Sequence, residues 1–270
     1  MRYLVDHDYH IHTKLSLCSG DEAQSCRRIE EYALESGLSS VCITDHFWDE
    51  KVPLEAESAF YAGQNFAHIS QSFDYEPANP RRVRFYFGCE TEMNQNFTLG
   101  ITPERIAALD FVIVPTTHFH MAGFTVPDRE LSTEERATLY VERLWALLSM
   151  PLPFEKIGIA HLTCPLIAPN GGYIDVLNRI PDKTFAALFA EVAAKGAGVE
   201  LNFRYDATAG DDLAAVLRPY RIAAKQKCRF YFGSDAHHPA ALDAAKSNFE
   251  RIVDALDLKE EQKFHPAFHR

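Results

Sequence analysis

The sequence predicts an α/β fold, built as one closed or nearly closed β/α barrel. Three observations predict it. Short β-rich runs alternate with helical stretches along the chain, which implies a parallel sheet with helices outside. About seven such runs fill 270 residues with no composition break and no Gly/Ser linker, a length that suits one large α/β domain. Six of the twelve histidines and several acids fall just after the runs, the end where such barrels gather functional groups. The alternation alone is also compatible with an open doubly wound sheet. The unbroken composition favours a barrel over residues 1–270.

Taken in order, the strand candidates are 3–9, 40–44, 83–89, 111–115, 157–160, 198–202 and 229–233. The first helix candidate, 25–36, places Ile29, Tyr32, Ala33 and Ser36 at helical spacing, with Gly37 as its stop. Residues 133–149 follow Ser132-Thr133-Glu134-Glu135, a capping sequence, and repeat Leu139, Val141, Leu144, Leu147 and Leu148. Residues 182–195 end before Gly196, and 211–225 and 240–256 follow the same logic. Two connections are too long for plain loops: 47–82, with a helix candidate at 56–72, and 119–131, with Gly123 and Pro127. Insertions after strands suit substrate-covering segments. The stretch 259–270 has weak periodicity and reads as a loosely ordered end.

Composition narrows the function. There are 38 acidic against 27 basic side chains, a net charge of −11, which opposes a non-specific nucleic-acid coat. Six scattered cysteines without a CxxC pair read as reduced core thiols in a reducing compartment. The N-terminus becomes charged within six residues, leaving no secretory apolar segment. No apolar run approaches the length of a membrane span. A cytoplasmic protein is the expectation.

The chain holds 12 histidines. His10 and His12 close the first strand candidate. Asp45 and His46 follow the second, Glu90 the third, His118 the fourth and His161 the fifth. Asp235 and His237 follow the last. His10 and His12, two apart, share one side of a strand. Imidazoles and carboxylates converging this way make a divalent metal site, and Glu90 suits a position between two ions. His120 is expected behind His118. His7, His68, His238, His265 and His269 read as solvated loop residues.

These motifs together resemble the polymerase and histidinol phosphatase (PHP) family. HIHT at 10–13, ITDH at 43–46, GCE at 88–90, TTH at 116–118, AHL at 160–162 and GSDAH at 233–237 stand in that family's order. The resemblance implies a distorted (β/α)7 barrel with up to three divalent metals, zinc, manganese or iron. It implies a first site of His10, His12, Glu90 and Asp235, and a second of Glu90, His118 and His161. A third would use His46 and His237 with one residue from the loop after the first motif. There this sequence departs from the histidine of related phosphatases and offers Cys18 or Asp21. A Cys18 thiolate would favour zinc, and Asp45 would orient a ligand.

The implied function is a metal-dependent phosphoesterase that hydrolyses a small phosphomonoester with metal-activated water, histidinol phosphate being one named option. His237, or Asp235 beside it, would assist proton transfer. Arg204 and Lys14 are the candidates for holding phosphate. Three alternatives stay open. A nucleotidase or exonuclease would use Phe47, Trp48, Phe60, Tyr61 and Phe66 for base stacking, with no long strand expected. A non-catalytic metal-binding regulatory module is another. A C–N hydrolase on a similar barrel is the third.

Overall fold

A computed structural model describes residues 1–54 and 56–268, with side chains at 56–58 left undescribed. His269 lies outside the described residues. The elements run β1 (His7–Ile11), α1 (Cys26–Glu35), β2 (Ser40–Ile43), β3 (His46–Phe47), α2 (Phe66–Ile69), β4 (Arg84–Phe87), β5 (Cys89–Thr91), α3 (Pro103–Ala108), β6 (Val112–Pro115) and α4 (Thr133–Ser149). There follow β7 (Ile157–Ala160), α5 (Tyr173–Arg179), α6 (Asp182–Lys195), β8 (Gly198–Leu201), α7 (Gly210–Lys225), β9 (Arg229–Phe232), α8 (Pro239–Asp243) and α9 (Ala245–Leu256).

Every paired strand is parallel, in the orders β1-β2-β4 and β3-β5-β6-β7-β8-β9. The seven expected strands become nine segments because two of them break. The second breaks at Thr44 and Asp45. The third breaks at Gly88, where a Cβ would sit 2.1 Å from the Phe111 carbonyl oxygen. Backbone bonds carry the sheet across both breaks: Gly88 N donates to Ile43 O (2.8 Å) and Glu90 N to Asp45 O (3.1 Å). The last strand meets the first through a bridge rather than a ladder. There Asp235 N donates to His10 O (2.8 Å) and His12 N to Ala236 O (3.1 Å). The architecture is thus mixed α/β with parallel strands, as the periodicity predicts.

Apolar side chains form two layers. The outer one lies between strands and helices and includes Ile29 and Tyr32 of α1, Leu144 and Leu148 of α4, and Phe185 and Phe189 of α6. The inner one holds Tyr9, Cys42, Phe111, Ile113, Ala160, Tyr231 and Phe264. Helix α4 starts with the expected capping box, Ser132 and Glu135 bonding reciprocally. No helix of the described residues is long and apolar enough to cross a membrane.

Four expectations need correction. The first strand is His7–Ile11, not 3–9, because Tyr3 N bonds Leu258 O instead (3.1 Å). The single helix expected at 56–72 is a 3₁₀ turn, Ala56–Tyr61, then α2 and a second turn. Asn65 caps α2 by accepting from His68 N (3.1 Å). The helix expected at 240–256 is divided at Ala244 into α8 and α9. The stretch 259–268 is not loose. Phe264 N bonds Phe230 O (2.8 Å), Phe264 joins the inner layer, and Phe268 stacks on Tyr86 at 3.5 Å. Its alternation was too short to show a period, but burying Phe264 alone is worth about 1.5–3 kcal/mol.

Candidate metal centre

Parallel strands deliver their C-terminal ends to one face, and the histidine, Glu90 and Asp235 candidates meet there. Strand β1 shifts register between Asp8 and Ile11, and the His10 and His12 Nε2 atoms lie 3.0 Å apart. Glu90 sits within β5, not after a strand as expected, and is 1% exposed. Its Oε2 is 2.9 Å from His46 Nδ1, 3.4 Å from His12 Nε2 and 3.5 Å from His10 Nε2. Its Oε1 accepts from His161 Nε2 at 3.0 Å. Asp235 Oδ1 lies 3.1 Å from His12 and 3.4 Å from His10. His161 and Asp235 adopt positive φ values of 61° and 53°. That left-handed conformation is costly for side-chain-bearing residues and concentrates at functional sites.

Two groups of candidate ligand atoms result, each with its atoms within 4.8 Å of one another: His10, Glu90, His161 and Asp235, and His12, His46 and His237. The grouping differs from the implied one. His12 stands with His46 and His237, its ring stacked on His237 at 4.0 Å. His161 stands with His10. His118 stacks on His161 at 4.7 Å but joins neither group.

Unpartnered atoms test whether metals fit. Among the described residues, His46 Nδ1, Glu90 Oε2, Asp235 Oδ1 and His237 Nε2 are buried without a hydrogen bond. The 2.9 Å approach of His46 to Glu90 lacks hydrogen-bond alignment. Orphaned polar atoms are costly and rare. Four of them converging, all of ligand type, are what divalent ions would satisfy.

The electrostatics agree. Burial alone would lower His10 and His161, but facing carboxylates outweigh it: His10 is raised well above 6.5, and His161 to about 9. Burial likewise would raise Glu90, but His10 and His46 hold it well below 4.5. Asp235 is depressed too, chiefly by His10 and His161 against its burial. Burial pushes His118 and His237 down to about 3, helped by His161 and His12 respectively.

Buried partners aim these rings. His10 Nδ1 donates to Glu200 Oε1 (2.6 Å), and Glu200 Oε2 accepts from His161 N (3.1 Å). Gly233 leaves room for this contact, since a Cβ there would lie 2.2 Å from Glu200 Oε1. His118 Nδ1 donates to Glu92 Oε2 (2.9 Å). The fully buried Arg143 donates to Glu92 Oε1 and to the carbonyls of Met93, Asn94, Thr116 and Thr125. Asp45 accepts from Thr13 N, Thr13 Oγ1 and Ser16 Oγ, and Ser16 Oγ accepts from His12 Nδ1 (2.8 Å). Both Asp45 oxygens are thus engaged in positioning the loop that holds His12. Glu92, Arg143, Glu200 and Ser16 were not foreseen. Glu200 was detectable as an acid inside an apolar strand candidate, and Glu92 as the i+2 partner of Glu90.

The groups open on a cavity of ≈ 380 Å³, lined also by Cys18, His120, Phe60, Tyr61, Met121 and Leu166. Cys18 faces it, its thiol pushed up to about 12 by burial and by Glu90 and Asp235. Asp21 does not line it, because Oδ2 pairs with His238 Nε2 at 2.9 Å. Lys14 pairs with Glu22, and Arg204 is exposed, beside the turn Tyr205–Ala207; neither lines the cavity. No lysine or arginine does, among the described residues. Of the aromatics considered for stacking, Phe60 and Tyr61 line the cavity. Phe47 and Trp48 are core, and Phe66 lies under Arg105. His7, expected in a loop, is buried: Nδ1 pairs with Asp6 and Nε2 accepts from Phe232 N.

Comparison with known proteins follows from this geometry. A family described as PHP domain matches residues 8–203. A protein of Deinococcus radiodurans described as probable histidinol-phosphatase is 27% identical, covering 86% of this chain and 86% of its own length. The solved histidinol phosphate phosphatase of Lactococcus lactis, complexed with zinc, L-histidinol and phosphate, is similar at a TM-score of 0.60 and 15% identity. It covers 96% of this chain and 98% of that one, a likeness of fold. Since the family match takes in every motif from His10 to His161, the chain belongs to the PHP domain family.

Proposed function

We propose that this protein is a metal-dependent phosphoesterase that hydrolyses a small phosphomonoester. The observation that carries this is the place of Glu90, shared between two groups of ligand atoms at the floor of a cavity without lysine or arginine among its described lining. In such a cavity a phosphate needs positive charge from another source. Divalent ions, two or three of zinc, manganese or iron, would supply that charge and a water activated toward hydroxide.

His10, Glu90, His161 and Asp235 would hold one ion. His12, His46 and His237 would hold another, with Glu90 between the two. Cys18, which lines the cavity where Asp21 does not, would be the candidate for a further ligand, and His118 lines the same cavity. His237, or Asp235 beside it, would assist proton transfer where it is not fully engaged as a ligand. Glu200 and Glu92 orient His10 and His118 through their Nδ1 hydrogens.

Likeness to a probable histidinol-phosphatase makes L-histidinol phosphate the first substrate to measure. The test is metal content by elemental analysis together with phosphate release from L-histidinol phosphate and p-nitrophenyl phosphate. Bound metal and turnover are expected, both lost in Glu90→Ala. Full turnover in that variant, or no metal uptake by the parent, overturns the proposal.

A further inference from the structure

We infer that the alcohol portion of the substrate is a small, uncharged aromatic group, held by Phe60, Tyr61, Met121 and Leu166 beside the ligand groups. This rests on the phosphoesterase reading above.

The wall comes from three connections at the C-terminal ends of the strands. Phe60 and Tyr61 end the turn Ala56–Tyr61 after β3, Met121 follows β6, and Leu166 lies in the turn Pro165–Ile167 after β7. It is fixed from behind. Trp48, Tyr61 and Phe124 form a closed triangle of rings, 5.3 to 5.9 Å apart, that locks the connection 47–82 to 119–131. Leu166 O accepts from Phe119 N (3.2 Å), tying in the third connection. Phe60 stands edge-on to Tyr61 at 5.0 Å and to His46 at 5.2 Å. Its ring therefore marks the border between the ligand half of the cavity and the apolar half.

The two halves dictate how a phosphomonoester enters. Its phosphate has no cationic side chain to meet in the described lining, so it must face the ligand groups. The ester oxygen then directs the alcohol portion at the apolar wall. An aromatic ring there gains both area burial and edge or offset contacts with Phe60. An ammonium would lose water and find no carboxylate outside the ligand groups in the described lining, and a polyhydroxyl chain would gain nothing from the apolar side chains. The carboxylates in the described lining are Glu90 and Asp235, and both belong to the ligand groups rather than to the apolar wall. A cavity of ≈ 380 Å³ lies near the small end of ligand sites, enough for a single ring rather than a polymer.

The test uses the metal-loaded full chain and two readouts. The first is kcat/KM for benzyl phosphate, O-phosphoethanolamine, glycerol 2-phosphate, L-histidinol phosphate and adenosine monophosphate. The second is calorimetric binding of benzylphosphonate and 2-aminoethylphosphonate, which cannot be hydrolysed. Benzyl phosphate is expected to lead the others by at least about tenfold, with benzylphosphonate the tighter ligand. Phe60→Ala and Met121→Ala, with metal content confirmed, are expected to collapse that ratio.

Phosphate release that favours O-phosphoethanolamine or L-histidinol phosphate, or a ratio untouched in both variants, overturns this inference while the phosphoesterase reading stands. Selective binding of benzylphosphonate with no phosphate released from any ester overturns the phosphoesterase reading and leaves the apolar wall. Neither binding nor release overturns both.

Discussion

The two ends of the barrel are made from the same strands and obey opposite rules. At the N-terminal end, Tyr9, Phe111, Tyr231 and Phe264 close an apolar layer. At the C-terminal end stand His10, Glu90, His161 and Asp235 beside His12, His46 and His237, with four polar atoms of these groups left unpartnered. On β1 a single step separates Tyr9 in the first layer from His10 in the second, and on β7 the same step separates Ala160 from His161. The contrast teaches where stability and chemistry reside. One end lowers the free energy by burial, and the other spends part of it to hold desolvated ligands ready.

The strongest way to break this comparison is at the shared carboxylate. Glu90→Ala removes the group common to both sets. Hydrolysis is expected to fall by about 10²–10³-fold or more, with loss of bound metal and an unchanged circular dichroism spectrum. At the opposite end, Phe264→Ala should cost about 3–5 kcal/mol of stability, read as a lower Tm. Its turnover per folded molecule should stay at the parental value, and a matching fall in turnover would merge the two ends into one functional unit.

Between these lie the buried partners. Glu200→Gln and Glu92→Gln should each weaken metal binding by about 10–100-fold, measured by competition with a chelator. The acid that aims His10 and His161 should matter more than the one behind His118, which joins neither ligand group.

The pH dependence sharpens the comparison further. His161 is raised from 6.5 to about 9, so its contribution is complete below 6.5 and is lost as pH climbs through 9. Glu90 is held well below 4.5, so its contribution is present above that value and is lost as acid titrates it. His118 and His237, lowered to about 3, also lose theirs as pH falls below 6.5. The metal-free protein should therefore lose stability from pH 6.5 to 9. Metal affinity should rise over the same window, because ligation requires neutral imidazoles. Thermal melts and metal titrations across that window check both signs. The smallest effect is expected at Arg204, exposed and away from the cavity. Arg204→Ala should leave stability within about 0.5 kcal/mol and kcat/KM near the parental value. A large fall would restore it as a phosphate contact.

Much of this molecule was legible in one dimension. The alternation of strands and helices is a local pattern, set by side-chain period and capping, and it survives in β6, β7, β8, β9, α4 and α6 almost unchanged. The ligand residues were legible because parallel strands must end on one face, so position relative to a strand's end stands in for position in space. Glu90 illustrates the limit: one residue inside β5 rather than after it, a shift that pattern reading cannot resolve.

Tertiary structure alone decided the pairings. That His12 groups with His46 and His237 depends on residues brought together from three separate strand ends. That Asp21 turns to His238, Lys14 to Glu22 and Arg204 to solvent depends on neighbours far away in sequence. The closing of the barrel's lower end by residues 259–268 could not be foreseen either, since Phe264 finds Phe230 across 34 positions. The sequence by itself determined the fold class and the roll of metal-type residues, because both follow from local periodicity and chain direction. Which atoms meet was left to packing, because hydrogen bonds and desolvation act over a few ångströms whatever the distance along the chain.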